Sequence, residues 1–520
     1  MALYSSAPLL RDVEAPDGNR YSRCRHPFAL WVITVSGLTA VVLRCLPSST
    51  FSAHDVLDVS NSFLASADLD EKRNAMLLQI FKAAPKVELH THLDGALQPS
   101  TLCSLAFKNN ATNLLNTSFV SASVPQGCRI GVRKGLTALP HPLISSLESC
   151  PFQLQPYVTS FETKSLSDFL QPFTCISDFI QLPGGIETMG RSFVLQQVAE
   201  NIIYTEAQFA PQLLLTSCNP FVTCKADSVD MIEEIKHIIK KTIDGIVSVE
   251  ARGAPVRILL DCFRNLKVPF CEQLLNIAID MKKSEDGTTS AKGTSYRYSE
   301  YIVGVNLAGD EIGFPNQAHS DGQQSFEDLF KRMKNKLNQV GLGFAPHSGE
   351  PSFNDSAADC FTAISSMGAS RIGHGYHCAH GSLNLIAKRH LHIETCPTSS
   401  VATGAVTTSW AHHPIRTMNR LGLSISLNTD DRAVIGTTMT AQHLVARTNL
   451  GFSLKAIVRT AVEGAKASFA SEHIKVESCS RIRKWWNEEA ARASESWRHV
   501  GLASHREIED LEHYLHILQC

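Results

Sequence analysis

Residues 87–92 read Val-Glu-Leu-His-Thr-His (VELHTH), a short apolar run that ends in two imidazoles two positions apart. Side chains of a strand alternate between faces, so His90 and His92 point the same way. Val87, Leu89 and Thr91 then take the opposite face, against covering helices. Seven further β-type runs follow: IIYTEAQF (202–209), VRILLDC (256–262), IVGVNLA (302–308), GFAPH (343–347), RIGHG (371–375), LHIET (391–395) and SISLN (424–428). Helix-compatible stretches separate most of them, such as VDMIEEIKHIIKKTIDGIV after the second run. Strands alternating with helices imply parallel βαβ units, and eight such units make a (β/α)8 TIM-type barrel with its active site at the strands' C-terminal ends.

The polar residues fall at those ends. His90 and His92 close the first run, His347 the fifth and His374 the sixth, while Asp430-Asp431 follow the eighth. Singly, each has an ordinary structural reading: a satisfied histidine, a turn, a helix cap. Together they are four strand ends delivering four imidazoles and a carboxylate to one mouth. Three imidazoles and one carboxylate suit zinc, and a catalytic zinc also keeps a place for water. His90, His92, His347 and Asp430 are the natural ligands, leaving Glu350, His374 and Asp431 to handle protons and substrate.

Length and composition agree with a buried core. The chain has 520 residues, 43% hydrophobic and 19% charged, so a disordered, collagen-like or coiled-coil protein is excluded. Lys+Arg number 48 against Asp+Glu 50, which gives no basic excess for a nucleic acid partner. Fifteen cysteines without a C-x-x-C pair, several inside apolar runs, read as mostly reduced, structural thiols, which favours the cytoplasm. Phe28–Leu43 is a sixteen-residue uncharged stretch after Arg20, Arg23 and Arg25; it admits a secretory signal, a membrane anchor or a plain leader. Residues 109–162 lack steady periodicity and read as a long loop or insertion. The expected organisation is a leader over 1–79, a barrel domain over 80–480 and a solvated, amphipathic helical tail over 481–520.

PKVELHTHLDGAL (85–97), LAGDE (307–311), HSGE (347–350), RIGHGYH (371–377), CPTSS (396–400) and SLNTDD (426–431) together resemble the adenosine deaminases. The likeness covers roughly 84–476, apart from 109–162. It implies one zinc ion on His90, His92, His347 and Asp430, and hydrolytic release of ammonia from the purine 6-position. By the same resemblance Glu350 would give a proton to purine N1, for which burial must keep it protonated. His374, with Asp430, would orient and deprotonate the attacking water. Asp431 would stand on the accepting side of a hydrogen bond with N7, the Gly309 N–H would meet N3, and Asp94 and His92 would face the substrate. In this family HLDG at Asp94 goes with the nucleoside, HLEG with adenine and HLNG with N6-methyl-AMP. Leu166, Phe169, Leu170 and Phe173 sit at helical spacing, which alone reads as a core-packing face; the resemblance makes the same face an apolar lid over the purine, and Pro172 should kink that helix.

Three residues and one segment depart from the family pattern. Gln208 stands where Arg is expected, Asn306 where Asp is expected, Arg432 in place of Pro, and the 109–162 segment interrupts the first βα unit. The expected reaction is deamination of adenosine, and of 2′-deoxyadenosine, with a small purine nucleoside as partner and membrane association only through 28–43. Rival readings are a deaminase of adenine or N6-methyl-AMP, and a catalytically weak, anchored adenosine-binding protein. A cytidine-type zinc deaminase is excluded, because Cys396-Pro397 is followed by Thr-Ser-Ser rather than the second cysteine of P-C-x-x-C.

Overall fold

The computed structural model describes residues 31–35, 38–42, 70–111, 147–151, 154, 158–159, 169–250, 253–290, 293–317 and 324–520. Two compact units divide the chain at Glu71/Lys72. In the first, Trp31–Val35 pairs antiparallel with Leu38–Val42, Trp31 opposite Val42. No described helix is long and apolar enough to cross a membrane.

The second unit carries the eight expected strands in two parallel sheets. Lys86–Glu88, Ile202–Phe209, Val256–Phe263, Ile302–Ala308 and Gly343–Phe344 lie side by side in that order. His347–Ser348, Arg371–His374, His392–Thr395 and Ser424–Leu427 form the other sheet. The fifth run thus splits into two pairs of residues around Ala345-Pro346, where proline offers no N–H to a ladder. The curl closes where Thr91 bridges Asp430: His92 N donates to Asp430 O at 3.1 Å and Asp430 N to His90 O at 3.1 Å. The chain folds as a TIM-type (β/α)8 barrel.

Val229–Glu250 is the helix expected after the second strand, with Ile235, Ile239, Ile243 and Ile246 buried on one face. Val87 faces the helix Leu454–Ala467, at whose Gly464 a Cβ would stand 3.7 Å away.

Three expectations need correction. First, the C-terminal helices Glu472–His499 and His505–Ile517 are not a solvated tail. They bury Trp486, Trp497, Ile482, Leu511 and Leu515 in the main core, and Glu507 takes an ion pair from Arg447 at 2.7 Å. Amphipathic spacing announces a covered face as readily as a free helix.

Second, the thiols are largely paired. Disulfides join Cys103–Cys150, Cys218–Cys224, Cys262–Cys271, Cys360–Cys378 and Cys479–Cys520, with Cα separations of 4.8–6.0 Å. The first bond ties Cys103, ahead of the 109–162 segment, to Cys150 within it. Cysteines in apolar runs look alike in sequence whether paired or free; among the described residues only Cys396 is free, and it is buried.

Third, Pro172 does not kink a helix. It occupies the first turn of Gln171–Ile180, where its missing N–H costs nothing.

Candidate active site

His90, His92, His347 and Asp430 converge as the strand ends require, with one donor atom from each lying within 4.8 Å of the others. His90 Nε2 is 3.1 Å from His347 Nε2 and 3.4 Å from Asp430 Oδ1, and His92 Nε2 is 3.3 Å from the same oxygen. A tetrahedron with metal–ligand bonds of 2.0–2.1 Å has edges of about 3.3–3.4 Å, so this donor set fits one zinc-sized ion.

The opposite nitrogen of each imidazole is held from behind. His90 Nδ1 meets Glu394 Oε2 at 2.8 Å, His92 Nδ1 meets Asp261 Oδ2 at 3.2 Å, and His347 Nδ1 meets Asn306 Oδ1 at 3.1 Å. Such partners fix the ring and leave Nε2 facing a metal. Glu394 is held in turn by Arg371 at 2.5 Å, and Ser399 Oγ donates to Asp430 Oδ2 at 2.6 Å. Asp261 and Glu394 were not singled out from sequence. Their only signal there is a lone carboxylate inside an apolar strand.

His374 and Asp430 both have left-handed backbones, with φ of +64° and +60°. Residues other than glycine rarely sit there, and such strain gathers where a side chain must be aimed. His374 has no hydrogen-bond partner on either ring nitrogen, and its Nε2 lies 3.7 Å from Glu350 Oε2. Burial and the neighbouring His90 lower its pKa to about 3, so the ring is neutral.

The carboxylates divide by environment. Asp430 lies well below the usual range: hydrogen bonds from His90 and His92 outweigh its burial. Glu350 is pushed well above that range by burial and by Asp430, Glu311 and Asp431. Asp431 is raised too, by burial and then by Asp430 and Asp94, and its Oδ1 has no partner.

These groups open on a cavity of about 920 Å³. Asp94 and Gly309 line it, as do Phe169, Leu170 and Phe173 of the expected lid; Leu166 lies outside the described residues. Gly309 has φ +104°, and a Cβ there would come 2.7 Å from Asn265 Oδ1. Its backbone can face the cavity because it has no side chain. The described lining includes six carboxylates (Asp94, Asp178, Asp261, Glu350, Asp430 and Asp431) and no lysine or arginine.

The departures have partners. Asn306 Nδ2 donates to Gln208 Oε1 at 2.6 Å, and buried Arg432 pairs with buried Glu88.

The sequence profile of the adenosine deaminase family matches residues 128–485. Adenosine deaminase of Shewanella woodyi is 27% identical over 402 residues, 76% of this chain and 98% of that protein. Adenosine deaminase of Xenopus tropicalis is 26% identical, over 76% of this chain and 93% of its own length. Two solved structures share the fold. Adenine deaminase from Arthrobacter aurescens has a TM-score of 0.54 at 20% identity, over 78% of this chain and 99% of that one. Arabidopsis N6-mAMP deaminase has 0.55 at 18%, over 78% and 98%. With the profile covering well over half of its length, the chain belongs to the adenosine deaminase family.

Proposed function

We propose that this protein hydrolyses adenosine and 2′-deoxyadenosine to the inosine nucleosides and ammonia, with one zinc ion held by His90, His92, His347 and Asp430. The observation that carries the substrate choice is the charge of the cavity. Its described lining has no lysine or arginine to receive a 5′-phosphate, and Asp94 stands there as a hydrogen-bond partner for ribose hydroxyls. A volume of about 920 Å³ also exceeds what a free base needs.

Zinc, when bound, supplies the Lewis acidity that brings the pKa of water near 7. The chain's own residues do the rest. Glu350, kept protonated by burial and its anionic neighbours, gives its proton to purine N1 and makes C6 more electrophilic. His374 is neutral and unpartnered; with Asp430 it orients the attacking water and takes its proton. Water adds to C6, the C6–N bond breaks, ammonia leaves with the proton carried by His374, and the remaining hydroxyl proton, lost as C6 becomes a carbonyl, returns to Glu350. The Gly309 N–H meets N3. For N7 the direction of the hydrogen bond is the reverse of the sequence expectation: N7 of a purine nucleoside carries no hydrogen, so Asp431 donates. Its raised pKa supplies that proton. Phe169, Leu170 and Phe173 cover the base.

The test is ammonia release by the zinc-loaded protein from adenosine, 2′-deoxyadenosine, adenine, AMP and N6-methyl-AMP in parallel. Preference for the two nucleosides is expected. Preference for adenine or a nucleotide overturns the substrate assignment and keeps the chemistry. Zinc binding with no release from any of them favours an adenosine-binding protein.

A further inference from the structure

Glu311, the last residue of LAGDE, is fully buried and lies outside the constellation above. Its Oε2 accepts the Gly349 N–H at 2.8 Å and its Oε1 the Glu350 N–H at 3.2 Å. Gly349 has φ +72°, the turn that brings two successive N–H groups to one side. Arg264, also fully buried, donates Nη2 to the carbonyl of His347 at 2.9 Å and Nη1 to Asn316 Oδ1 at 2.9 Å. The four residues His347–Glu350 are thereby gripped by their backbone at both ends. One end carries a metal-ligand side chain and the other the proton donor.

We infer that Glu311 is a positioning residue of the reaction: with Arg264 it clamps the backbone of His347–Glu350, fixes Glu350 relative to the metal ligands, and sets its negative charge beside the Glu350 carboxyl. The inference rests on the role of Glu350 proposed above.

A neutral acceptor would satisfy the two N–H groups without the cost of burying a charge, so the choice of a carboxylate needs a reason. The charge supplies one. Besides Glu311, the groups acting on Glu350 are Asp430, Asp431 and His90, with His374 at 3.7 Å. Those on Glu311 are Arg264 and Asp359, and burial lifts Glu311 to about 7 against the pull of Arg264. On the alkaline side Glu311 is therefore ionised, and an anion beside Glu350 delays the loss of the catalytic proton.

Two variants, E311Q and E311D, test this through zinc content, steady-state kinetics across pH and amide hydrogen exchange of the segment containing 348–352. E311Q is expected to keep its zinc and lose about 10- to 100-fold in kcat, with KM within about threefold, because a small misplacement of a reacting group costs that much. Its alkaline limb of kcat/KM should move to lower pH by about half a unit or more, and the segment should exchange faster. E311D keeps the charge, so its limb should stay while kcat falls. A merely structural role would lower activity with the limb unmoved, and that result overturns the inference. So does turnover within twofold of the parent in E311Q. Should E311Q fail to fold, E311D decides: unchanged kcat and unchanged exchange reject the clamp. If the parent protein releases no ammonia from any purine, the deaminase reading falls and the exchange comparison still tests the clamp.

Discussion

Asn306 and Gln208, from the fourth and second strands, share a buried hydrogen bond of 2.6 Å, and each stands where the family resemblance leads one to expect a charged residue. An expected aspartate and an expected arginine are replaced together by two amides, which keeps the hydrogen bond and removes both charges. Asn306 also donates to Asp261 Oδ1 at 2.9 Å and turns its own oxygen to His347 Nδ1 at 3.1 Å. It therefore links His347 to Asp261, the partner of His92, and so connects two imidazoles of the proposed zinc set.

This pairing makes the two positions interdependent. N306D sets two carboxylates side by side in the core, and Q208R buries a guanidinium without an anion of its own. Each single change is expected to cost about 3 kcal/mol of stability, the scale of an uncompensated buried charge. The double variant Q208R/N306D should recover about 2 kcal/mol or more relative to the sum of the singles. Denaturant unfolding of the four proteins measures the coupling, and additive losses would mean that the two positions do not act as a pair.

The proton donor gives a sharper expectation. As the proposed donor Glu350 must be protonated, and its pKa is raised by burial and anionic neighbours, so kcat/KM should be full below that pKa and fall as pH rises through it. E350Q cannot deliver a proton. It should keep zinc and lose about 10²- to 10⁴-fold in kcat, and the alkaline limb should vanish with it. H92A should lose both zinc and turnover. Zinc analysis beside a pH–rate profile separates the two roles, and near-normal turnover by E350Q would remove Glu350 as the donor.

Much of this was legible in the sequence because a strand has a short, strict period. The eight runs are apolar, and the first, fifth, sixth and eighth end in or lead into histidines or aspartates, which tells which end of the barrel carries the chemistry. What strands hide is who stands behind whom. Asp261 and Glu394 are single carboxylates in apolar runs, and their partners His92 and His90 are distant in the chain. Disulfide connectivity is hidden for the same reason, since spacing does not say which cysteines meet. Pro172 misled because helical spacing of apolar residues continues across a helix start. The left-handed backbones of His374 and Asp430 had no signal beyond the neighbouring glycine and aspartate.

Gly95 offers a test of the Asp431 role that leaves Asp431 itself intact. The Gly95 carbonyl accepts from Ala433 N at 2.9 Å, and a Cβ added at Gly95 would overlap the Asp431 carboxylate. In G95A that carboxyl must swing away from its place, while His90, His92, His347 and Asp430 are untouched. The expected result is full zinc occupancy with kcat/KM lowered about 10- to 100-fold, as for a lost buried hydrogen bond to substrate. 7-Deazaadenosine lacks the N7 acceptor, so G95A should discriminate against it less than the parent does. Equal discrimination by both proteins would place N7 elsewhere.

The Cys360–Cys378 bond joins the helix Ser356–Thr362 to the turn after His374, across a sequence separation of 18. It is also where the loops of Glu350 and His374 touch. His377 N donates to Gly349 O at 2.9 Å, and a Cβ at Gly349 would sit 3.3 Å from Cys378 Sγ. A loop of this length stabilises the folded chain by about 3 kcal/mol through the entropy it removes from the unfolded state. C360S/C378S should therefore unfold at lower denaturant by about that amount. Its zinc should remain, since three of the four proposed ligands come from the first and eighth strands and the fourth is held through Arg264. Turnover should drop severalfold, because Gly349 and the loop of His374 lose the packing that keeps them in register. Mild reduction of the parent protein should reproduce the stability loss in part, Cys378 being 9% exposed. An unfolding midpoint unchanged by both the substitutions and the reductant would mean that the bond does not form in the working protein, and the contact between the two loops would then rest on backbone hydrogen bonds such as Gly349–His377 and Ser348–Gly375.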